Sequence, residues 1–384
     1  MDGGPCKLKL NHPIDRKVLV KVVDTLLGAI ARNSYFKELV MFCIRSGTIN
    51  AYDGGFVAAS AKIDTDIEGL VPANDFVKLV KSSNGRFVDM NFSGDRLDLQ
   101  FDDGMKISLN GSQNTEYHER FNLWDSSIQW HACPEELSNA IWQASYNASS
   151  SLLGIFASGD YVVAMEHSRD RACRYKLPSP VPFLIGLNAA APILFDKLRN
   201  LRLLRVAKFQ ISYSTEDGVR HNDGYAFDYG DLRVWCCDAY YPHGYSDWEK
   251  VPIEINDRFS KGGMENLFVL PNGVKKIISK IRVITRLDKK AIMDIDESFT
   301  ISIEEGKIIF SGATEGGTIH EELSIDTFRP LVPMTLITVP SYLAVAAKKG
   351  GLLGVKLDEN NTPFAIYLKD DKLEHLIGLI NPED

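Results

Sequence analysis

The spacing of apolar and polar residues in the stretch LVPANDFVKLVKSSNGRFVDMNFSGDRLDLQFDDGMKISLNG changes from a helical to an extended pattern. In its first half, Phe76, Leu79 and Val80 fall on one face of a helix, and Lys78 and Lys81 point the other way. The runs VDMNF, RLDLQF and KISLNG then follow, separated by the turns SGD and DDG. The pattern predicts a helix followed by an antiparallel meander of three short strands.

The same plan recurs along the chain, which indicates an internal repeat. Near the end of the chain, a helix that starts at a proline precedes the strands GVKLDE, FAIYLKD and EHLIGLI. In the middle, AKFQISYSTEDG, YAFDYGD and LRVWCCDAYY form the equivalent meander with a longer first turn. Most of the predicted helices begin at a proline, which suits the first helical turn because no N–H partner is needed there. The six predicted helices span residues 13–32, 72–86, 134–150, 189–205, 271–290 and 340–349.

Two helix-and-meander repeats per domain predict an α+β chain of three domains, over residues 1–126, 127–253 and 254–384. Each domain is expected to pack two helices on antiparallel sheets. The short junctions FNLWDSSIQW and SDWEKVPIEIND indicate domains that are held rigidly side by side. Because each domain has strands left over at its rims, we expect neighbouring domains to continue their sheets into one another.

The composition is that of a globular protein, with 45% hydrophobic and 24% charged residues in 384 positions. No apolar run is long enough to span a bilayer, and the N-terminal segment lacks the pattern of a signal peptide. We therefore expect a cytoplasmic protein without a membrane partner. The six cysteines are scattered without metal-ligand spacing, so they predict reduced, mostly buried thiols and neither a metal site nor a cofactor.

The charge of the chain is distributed unevenly between the predicted helices and the rest of the sequence. The whole chain carries −8, which argues against a uniformly basic nucleic-acid-binding protein. The six predicted helices nevertheless hold 20 Lys and Arg against 7 Asp and Glu, so that the remainder carries −21. Helices that face a common axis would form a positive wall backed by acidic sheets. Such a wall attracts phosphates without reading bases, and its affinity falls as salt rises.

The predicted helix PNGVKKIISKIRVITRLDKK shows this separation best, because its isoleucines form an apolar stripe opposite Lys275, Arg282 and Arg286. Similar basic faces occur on four of the other five helices. A solvated amphipathic face is the alternative explanation for any single helix. The candidate DNA-binding residues are Lys17, Lys21, Lys78, Lys81, Lys197, Arg199, Arg202, Arg205, Lys275, Lys276, Lys280, Arg282, Arg286, Lys348 and Lys349.

The repeat pattern and three local motifs, LVPANDFVKLVK, FNLWD and YSDWEKVP, resemble the sliding clamps typified by the β subunit of bacterial DNA polymerase III. The resemblance covers essentially the whole chain. It implies the DNA clamp fold and a head-to-tail homodimer that closes a six-domain ring around duplex DNA. It also implies a processivity factor without enzymatic activity, which binds DNA irrespective of sequence and serves a DNA polymerase and a clamp loader.

The resemblance further implies a cleft between the second and third domains that binds hydrophobic peptides of partner proteins. The sequence departs from the family pattern there: SRDRA replaces the usual Asp-Gly-His-Arg-Leu segment, and LIGLINPED replaces a Met-rich ending. We therefore expect a different partner peptide, and the divergence favours a phage-encoded protein in a bacterial host cytoplasm. The positions that correspond to the cleft are Leu152, Arg171, Ala172, Val251, Leu376, Ile377 and Leu379.

Two other function classes remain open at this stage. A catalytic α+β protein, such as a nuclease or hydrolase, could use dispersed carboxylates, although the acid pair Asp102 and Asp103 falls in a hairpin turn. The histidines, including His131 and His221, are dispersed without the partners of a catalytic triad or a metal site. A trimeric clamp or a DNA-free interaction scaffold is the second alternative.

Overall fold

The computed structural model describes most of the chain, and it divides into two compact units. The first unit comprises Met1–Trp142 and Ser179–Pro242, and the second comprises Gln143–Pro178 and His243–Asp384. The predicted division into three domains stays a prediction. The described residues are 13–31, 34, 36–113, 122–148, 152–166, 171–215, 218–239, 250–274, 276–277, 280, 299–314, 317–327, 330–338 and 351–379.

The described elements are mainly short antiparallel strands with a few helices, which confirms the predicted α+β class. The helices are α1 (Arg16–Leu26), α2 (Ala73–Ser82), α3 (Leu137–Ala148), α4 (Ala191–Leu198) and α5 (Val251–Ser260). The strands of the first half are β1 (Ile14–Asp15), β2 (Met41–Arg45), β3 (Thr48–Tyr52), β4 (Val57–Lys62), β5 (Gly69–Pro72), β6 (Phe87–Ser93), β7 (Arg96–Phe101), β8 (Lys106–Asn110), β9 (His131–Ala132), β10 (Leu152–Ser158), β11 (Tyr161–Glu166), β12 (Arg171–Lys176) and β13 (Ile185–Leu187). Those of the second half are β14 (Arg205–Lys208), β15 (Ile211–Thr215), β16 (Gly218–Asn222), β17 (Gly224–Asp228), β18 (Leu232–Cys237), β19 (Gly263–Val269), β20 (Phe299–Glu304), β21 (Lys307–Thr314), β22 (Gly317–Ser324), β23 (Met334–Thr338), β24 (Leu352–Leu357), β25 (Pro363–Asp370) and β26 (Leu373–Gly378).

The first unit contains a four-stranded sheet in the order β1-β6-β7-β8 and an eight-stranded sheet in the order β5-β2-β3-β4-β18-β17-β14-β9. The eight-stranded sheet joins strands that the sequence assigned to different domains, because β4 pairs directly with β18. In the second unit, seven strands lie in the order β10-β11-β12-β26-β25-β24-β19, and β12 pairs with β26 in the same way. The expectation that sheets continue across the predicted domain junctions is confirmed.

A second sheet of the second unit has the order β22-β21-β20-β23. Its core cluster includes Ile301, Ile303, Ile308 and Phe310, all buried. The predicted meanders in the stretches around VDMNF and GVKLDE are confirmed as β6-β7-β8 and β24-β25-β26.

Caps and apolar faces explain where the first two helices lie. Asp15 caps α1, since its carboxylate accepts hydrogen bonds from the backbone N–H groups of Lys17 at 2.9 Å and Val18 at 3.3 Å. Helix α2 follows Pro72 and buries Phe76 and Val80 fully, as the sequence predicted. No described helix is both long and apolar enough to cross a lipid bilayer.

Three details of the sequence prediction are wrong. The helix predicted over 189–205 ends at Leu198, because the chain turns there and enters β14 at Arg205. The stretch AKFQISYSTEDG is not one strand: β14 ends at Lys208, and β15 and β16 form a separate two-stranded sheet. Helix α5 was not predicted, although Val251, Ile255 and Phe259 recur at helical spacing and are buried.

Candidate nucleic-acid interface

Helix α1 packs against α2 and α4 in the first unit, which brings lysines from three separate segments together. Asp24 of α1 lies between two of them. One carboxylate oxygen is 2.6 Å from Nζ of Lys81 on α2, and the other is 3.1 Å from Nζ of Lys197 on α4. The hydrogen bond from Lys81 holds the pKa of Asp24 below its usual value, with a smaller contribution from Lys197 and against the opposing effect of burial. Asp24 thus fixes two predicted DNA-binding lysines in position.

A shallow groove of about 380 Å³ runs along this helix surface. Arg16, Lys17, Lys21 and Lys81 line it, with Val20, and Asp24 is the single acidic residue among its described lining residues. Arg16 is fixed at the rim, since its guanidinium donates to the carbonyls of Gly85 and Val80 at the end of α2. The groove therefore carries an excess of positive charge.

Lys17, Lys21 and Lys78 are exposed on α1 and α2, and no ion pair joins any of them to another described residue. Ammonium groups in this situation keep their hydration and their mobility. They are available to a phosphate backbone, in contrast to Lys81 and Lys197, which share Asp24.

Two predicted cations at the end of α4 have partners in the first unit. The guanidinium of Arg199 lies 4.0 Å from the ring centroid of Trp142 and 3.2 Å from a carboxylate oxygen of Asp196. Arg202 pairs with Glu135 at 2.6 Å, and both side chains are largely exposed. Exposed pairs of this kind contribute little to stability, so Arg202 can exchange its partner for a phosphate.

Arg205 was predicted on a helix, but it lies at the start of β14. It donates two hydrogen bonds to the buried carboxylate of Asp228 and lies 5.3 Å from the ring centroid of Trp130. Its role in DNA binding stays a prediction, and its observed contacts hold the sheet together.

In the second unit, Lys276 and Lys280 are exposed on a helical segment whose Val274 and Ile277 are buried in the core. Lys280 pairs with Glu321 of β22, and this hydrogen bond lowers the pKa of Glu321. The remaining candidates lie outside the described residues; they are Lys275, Arg282, Arg286, Lys348 and Lys349.

The predicted partner-binding residues come together in the second unit. Arg171 and Ala172 of β12 lie directly opposite Ile377 and Leu376 of β26. All four are buried, and Ile377 is fully buried in the hydrophobic core of this unit. They present little surface to a peptide in this structure, and the cleft stays a prediction.

The other three predicted partner-binding residues lie on other segments of the second unit. Val251 begins α5 and is 2% exposed, and Leu379 is half-buried against the core. Leu152 begins β10, where its backbone lies opposite Glu166. Their role in partner binding stays a prediction.

A catalytic protein would need clustered carboxylate, histidine or thiol groups. Within the part of the chain that the structure describes, no group of three or more His, Cys, Asp or Glu side chains is placed to hold a metal ion. In the same part of the chain, the cysteines at positions 43, 133, 173, 236 and 237 form no disulfide bond. Asp103 of the predicted acid pair accepts hydrogen bonds from Ser83 and from the backbone of Asn84 and Met105, which is a structural role in a turn.

Comparisons with known proteins give a match at the level of structure only. No protein-family profile and no curated protein sequence matches the chain. Among solved structures, the DNA polymerase III subunit β of Borrelia burgdorferi superposes with a TM-score of 0.70 at 12% identity, over 97% of this chain and 100% of that one. The β chain of Streptococcus pneumoniae gives 0.69 at 14% identity over 96% and 99%.

The sliding clamp of Bacillus subtilis gives a TM-score of 0.65 at 16% identity, with 97% of this chain and 100% of that chain covered. At sequence identities of 12 to 16%, these similarities concern the fold. They extend over at least 96% of this chain and at least 99% of the other chains. The resemblance that the sequence indicated is confirmed at this level: the chain has the fold of the DNA polymerase III β subunit sliding clamps.

Proposed function

We propose that the protein is a DNA sliding clamp, a processivity factor that encircles duplex DNA and tethers a DNA polymerase and other partners to it. The observation that carries the proposal is the cationic groove on α1 and α2, formed by helices of a chain with the sliding-clamp fold. Lys17, Lys21 and Lys78 supply exposed charge without a base-reading element, which suits contacts that must be weak and independent of sequence.

A ring requires that the chain pair with a second copy. Two strands at the ends of their sheets could do this: β8 in the first unit and β22 in the second. End strands expose backbone N–H and C=O groups that another strand can pair with. We infer a head-to-tail dimer in which β8 of one subunit joins β22 of the other, since heterologous interfaces of this type close into rings. Three predicted domains in each subunit then supply six around the hole.

The proposal assigns no catalytic role to the chain. The protein would act on DNA in the cytoplasm of a bacterium or of a phage-infected bacterium. A clamp loader would open the ring. The predicted peptide cleft around Arg171, Ala172, Leu376 and Ile377 would bind the polymerase, provided that the adjacent surface opens to a side chain of the peptide.

In the decisive experiment, the protein is first loaded onto closed circular DNA by a clamp loader or by transient opening of the ring. The amount of protein that stays on the DNA is then measured before and after the circle is cut. A clamp stays on the circle and slides off the linear form, whereas an ordinary DNA-binding protein leaves both equally. The variant Lys17→Glu/Lys21→Glu/Lys78→Glu is expected to lose retention at moderate salt while remaining folded.

A matched control is Lys37→Glu/Arg96→Glu/Lys176→Glu, which changes the net charge equally at exposed positions outside α1 and α2. Its retention should stay close to that of the original protein. Equal loss in both variants would show that only total charge matters and would remove the helix surface from the proposal. Divalent-metal-dependent cleavage of DNA by the unaltered protein would instead favour the nuclease alternative.

A further inference from the structure

A cleft in the first unit has no part in the proposed DNA-binding surface. It measures about 740 Å³, which falls within the range of about 300 to 1,000 Å³ that is typical of ligand sites. It lies between the β2–β3 hairpin, the end of β4 and the segment 122–124. Among its described lining residues, Arg45 and Lys62 are cationic and none is acidic, and Thr48, Asn50 and Asn122 add polar groups beside the ring of Trp124.

Trp124 forms a fixed aromatic wall of this cleft. Its indole N–H donates to the hydroxyl of Ser60 at 2.7 Å, and the guanidinium of Arg233 lies 4.3 Å from its ring centroid. Arg233 also donates to the carbonyl of Leu123 at 2.8 Å, which holds the segment that carries the tryptophan. The exposed Lys62 places its ammonium 4.5 Å from the same ring. An aromatic surface and a positive charge are thus arranged together before any ligand arrives.

The second unit differs from the first at the strand position that holds Trp124. Its sheet repeats the strand order of the first, with β12 and β26 in the places of β4 and β18. The backbone N–H of Lys62 donates to the carbonyl of Asp231, and that of Lys176 donates to the carbonyl of Lys372, each at 2.8 Å, so Lys176 corresponds to Lys62. Two residues before them, Arg174 takes the position of Ser60.

Ser60 lies opposite Arg233 in the first unit, and Arg174 lies opposite Glu374 in the second. Arg174 is buried, with its guanidinium 4.5 Å from the ring centroids of both Tyr161 and Phe259. A buried ion pair therefore takes the place that a hydroxyl and an indole N–H occupy in the first unit. The described residues of the two junctions therefore differ at this position, and the hydroxyl of Ser60 that holds Trp124 belongs to the first unit.

We propose that this cleft is a docking site for an acidic linear peptide of a partner protein, with carboxylates at Arg45 and Lys62 and an apolar side chain against Trp124. Charge complementarity selects this occupant. A nucleic-acid strand would also meet cations and an aromatic ring, but Asp64, Asp66 and Glu68 are exposed in the loop that follows Lys62. These carboxylates repel a continuous phosphate backbone, whereas a short peptide can place one or two carboxylates inside the cleft.

The test uses the full chain and labelled short peptides in which Asp and Glu alternate with Phe and Leu, with binding measured by fluorescence anisotropy. Two matched peptides replace either the acids by Lys or the apolar residues by Ser. We expect binding of the acidic, apolar peptide and at least about tenfold weaker binding of both matched peptides. Hydrogen exchange should show protection in residues 45–50 and 122–124 when the first peptide is bound.

Lys62→Glu is expected to weaken binding at least about tenfold, and Lys176→Glu at the corresponding position of the second unit should leave it unchanged. Both lysines are exposed, so both variants should unfold at the same urea concentration as the original protein. The proposal is overturned if the peptide does not bind at about 100 µM protein, or if Lys62→Glu binds it equally well. It is also overturned if a short oligothymidylate binds in a Lys62-dependent manner and displaces the peptide. No step involves duplex DNA, so the outcome is independent of the proposed clamp activity.

Discussion

Arg174 and Glu374 form a buried ion pair between β12 and β26, two strands that are far apart in sequence. Nε and Nη2 of the arginine lie 2.6 and 2.5 Å from the same carboxylate oxygen, and the two side chains are only 9% and 13% exposed. The hydroxyl of Tyr367 donates to the other carboxylate oxygen at 3.0 Å. Burial raises the pKa of Glu374, but the charge and hydrogen bond of Arg174, together with the hydrogen bond from Tyr367 and the charge of Lys369, outweigh burial and leave the pKa below its usual value. The pair thus joins the predicted second and third domains through charge as well as backbone pairing.

The first prediction concerns Glu374→Gln, which removes the charge and leaves Arg174 buried without a counter-ion. We expect the free energy of unfolding of the second unit to fall by about 3 kcal/mol, because breaking one side of a buried pair costs more than removing both. The double variant Arg174→Met/Glu374→Leu should lose less than Glu374→Gln. Urea unfolding followed by circular dichroism gives both values. A double variant that is less stable than Glu374→Gln would contradict this account of the pair.

The second prediction is that Asp24→Asn strengthens DNA retention. The change removes the carboxylate that Lys81 and Lys197 share, so that both ammonium groups become available to phosphates. Each new phosphate contact should add about 0.9 to the slope of log affinity against log salt. Retention on circular DNA should be measured over a range of salt concentrations, with Asp95→Asn, an exposed turn residue, as the control for the change in net charge. Equal slopes for the two variants would show that the lysines around Asp24 do not meet DNA.

Local patterns in the sequence were sufficient for most strands and for the starts of α1 and α2, because a proline or a capping Asp15 marks where each helix begins. They were insufficient where long-range contacts decide the structure. Helix α4 ends at Leu198, before the predicted end at residue 205. Arg205 instead pairs with Asp228 on a neighbouring strand, a contact that is distant in sequence. Val251, Ile255 and Phe259 recur every four residues, which is the spacing of a buried helix face. This local pattern predicts α5, although the stretch was interpreted as a junction between domains.

The same limit applies to the candidate site. A count of charges per helix identified the basic surface, but it could not show that Asp24 binds Lys81 and Lys197 from two other segments. It also could not find the cleft at Trp124, which combines the β2–β3 hairpin with a residue far along the chain. Both features depend on tertiary contacts, for which a single sequence carries no local signal.

The third prediction concerns the pH dependence of the first unit. Burial raises the pKa of Asp238 to about 6. The hydrogen bond that its carboxylate accepts from the backbone N–H of Ala239 at 2.7 Å lowers the pKa and opposes this shift only in part. Its unfolded value is near 4, so the folded state binds the proton more tightly and this contribution to stability is present at low pH. It is lost as pH rises from about 4 through about 6.

Asp238→Asn keeps an oxygen for Ala239 and cannot ionise, so it should be more stable than the original protein above about pH 6 and equal to it near pH 4. Thermal unfolding at several pH values measures the difference, and Asp95→Asn provides an exposed control. A constant difference between Asp238→Asn and the original protein across this range would show that Asp238 titrates normally.

The fourth prediction separates backbone strain from a steric clash at two glycines with positive φ. Gly351 precedes β24 with φ +105°, and a Cβ there would lie 2.0 Å from the carbonyl oxygen of Lys369. Gly94 has φ +60° in the turn between β6 and β7, with nothing within 4 Å of its added Cβ. Gly94→Ala should therefore cost only the conformational penalty of about 1 kcal/mol.

Gly351→Ala must also displace the backbone that pairs β24 with β25, so we expect a loss of at least about 3 kcal/mol. Since the two glycines lie in different units, hydrogen exchange should report each loss in its own sheet: β6 and β7 for Gly94→Ala, and β24 and β25 for Gly351→Ala. If Gly351→Ala costs no more than Gly94→Ala, the close approach of Lys369 does not constrain this position. In that case a side chain can enter the β24 edge without disturbing the strand pairing on which the second unit depends.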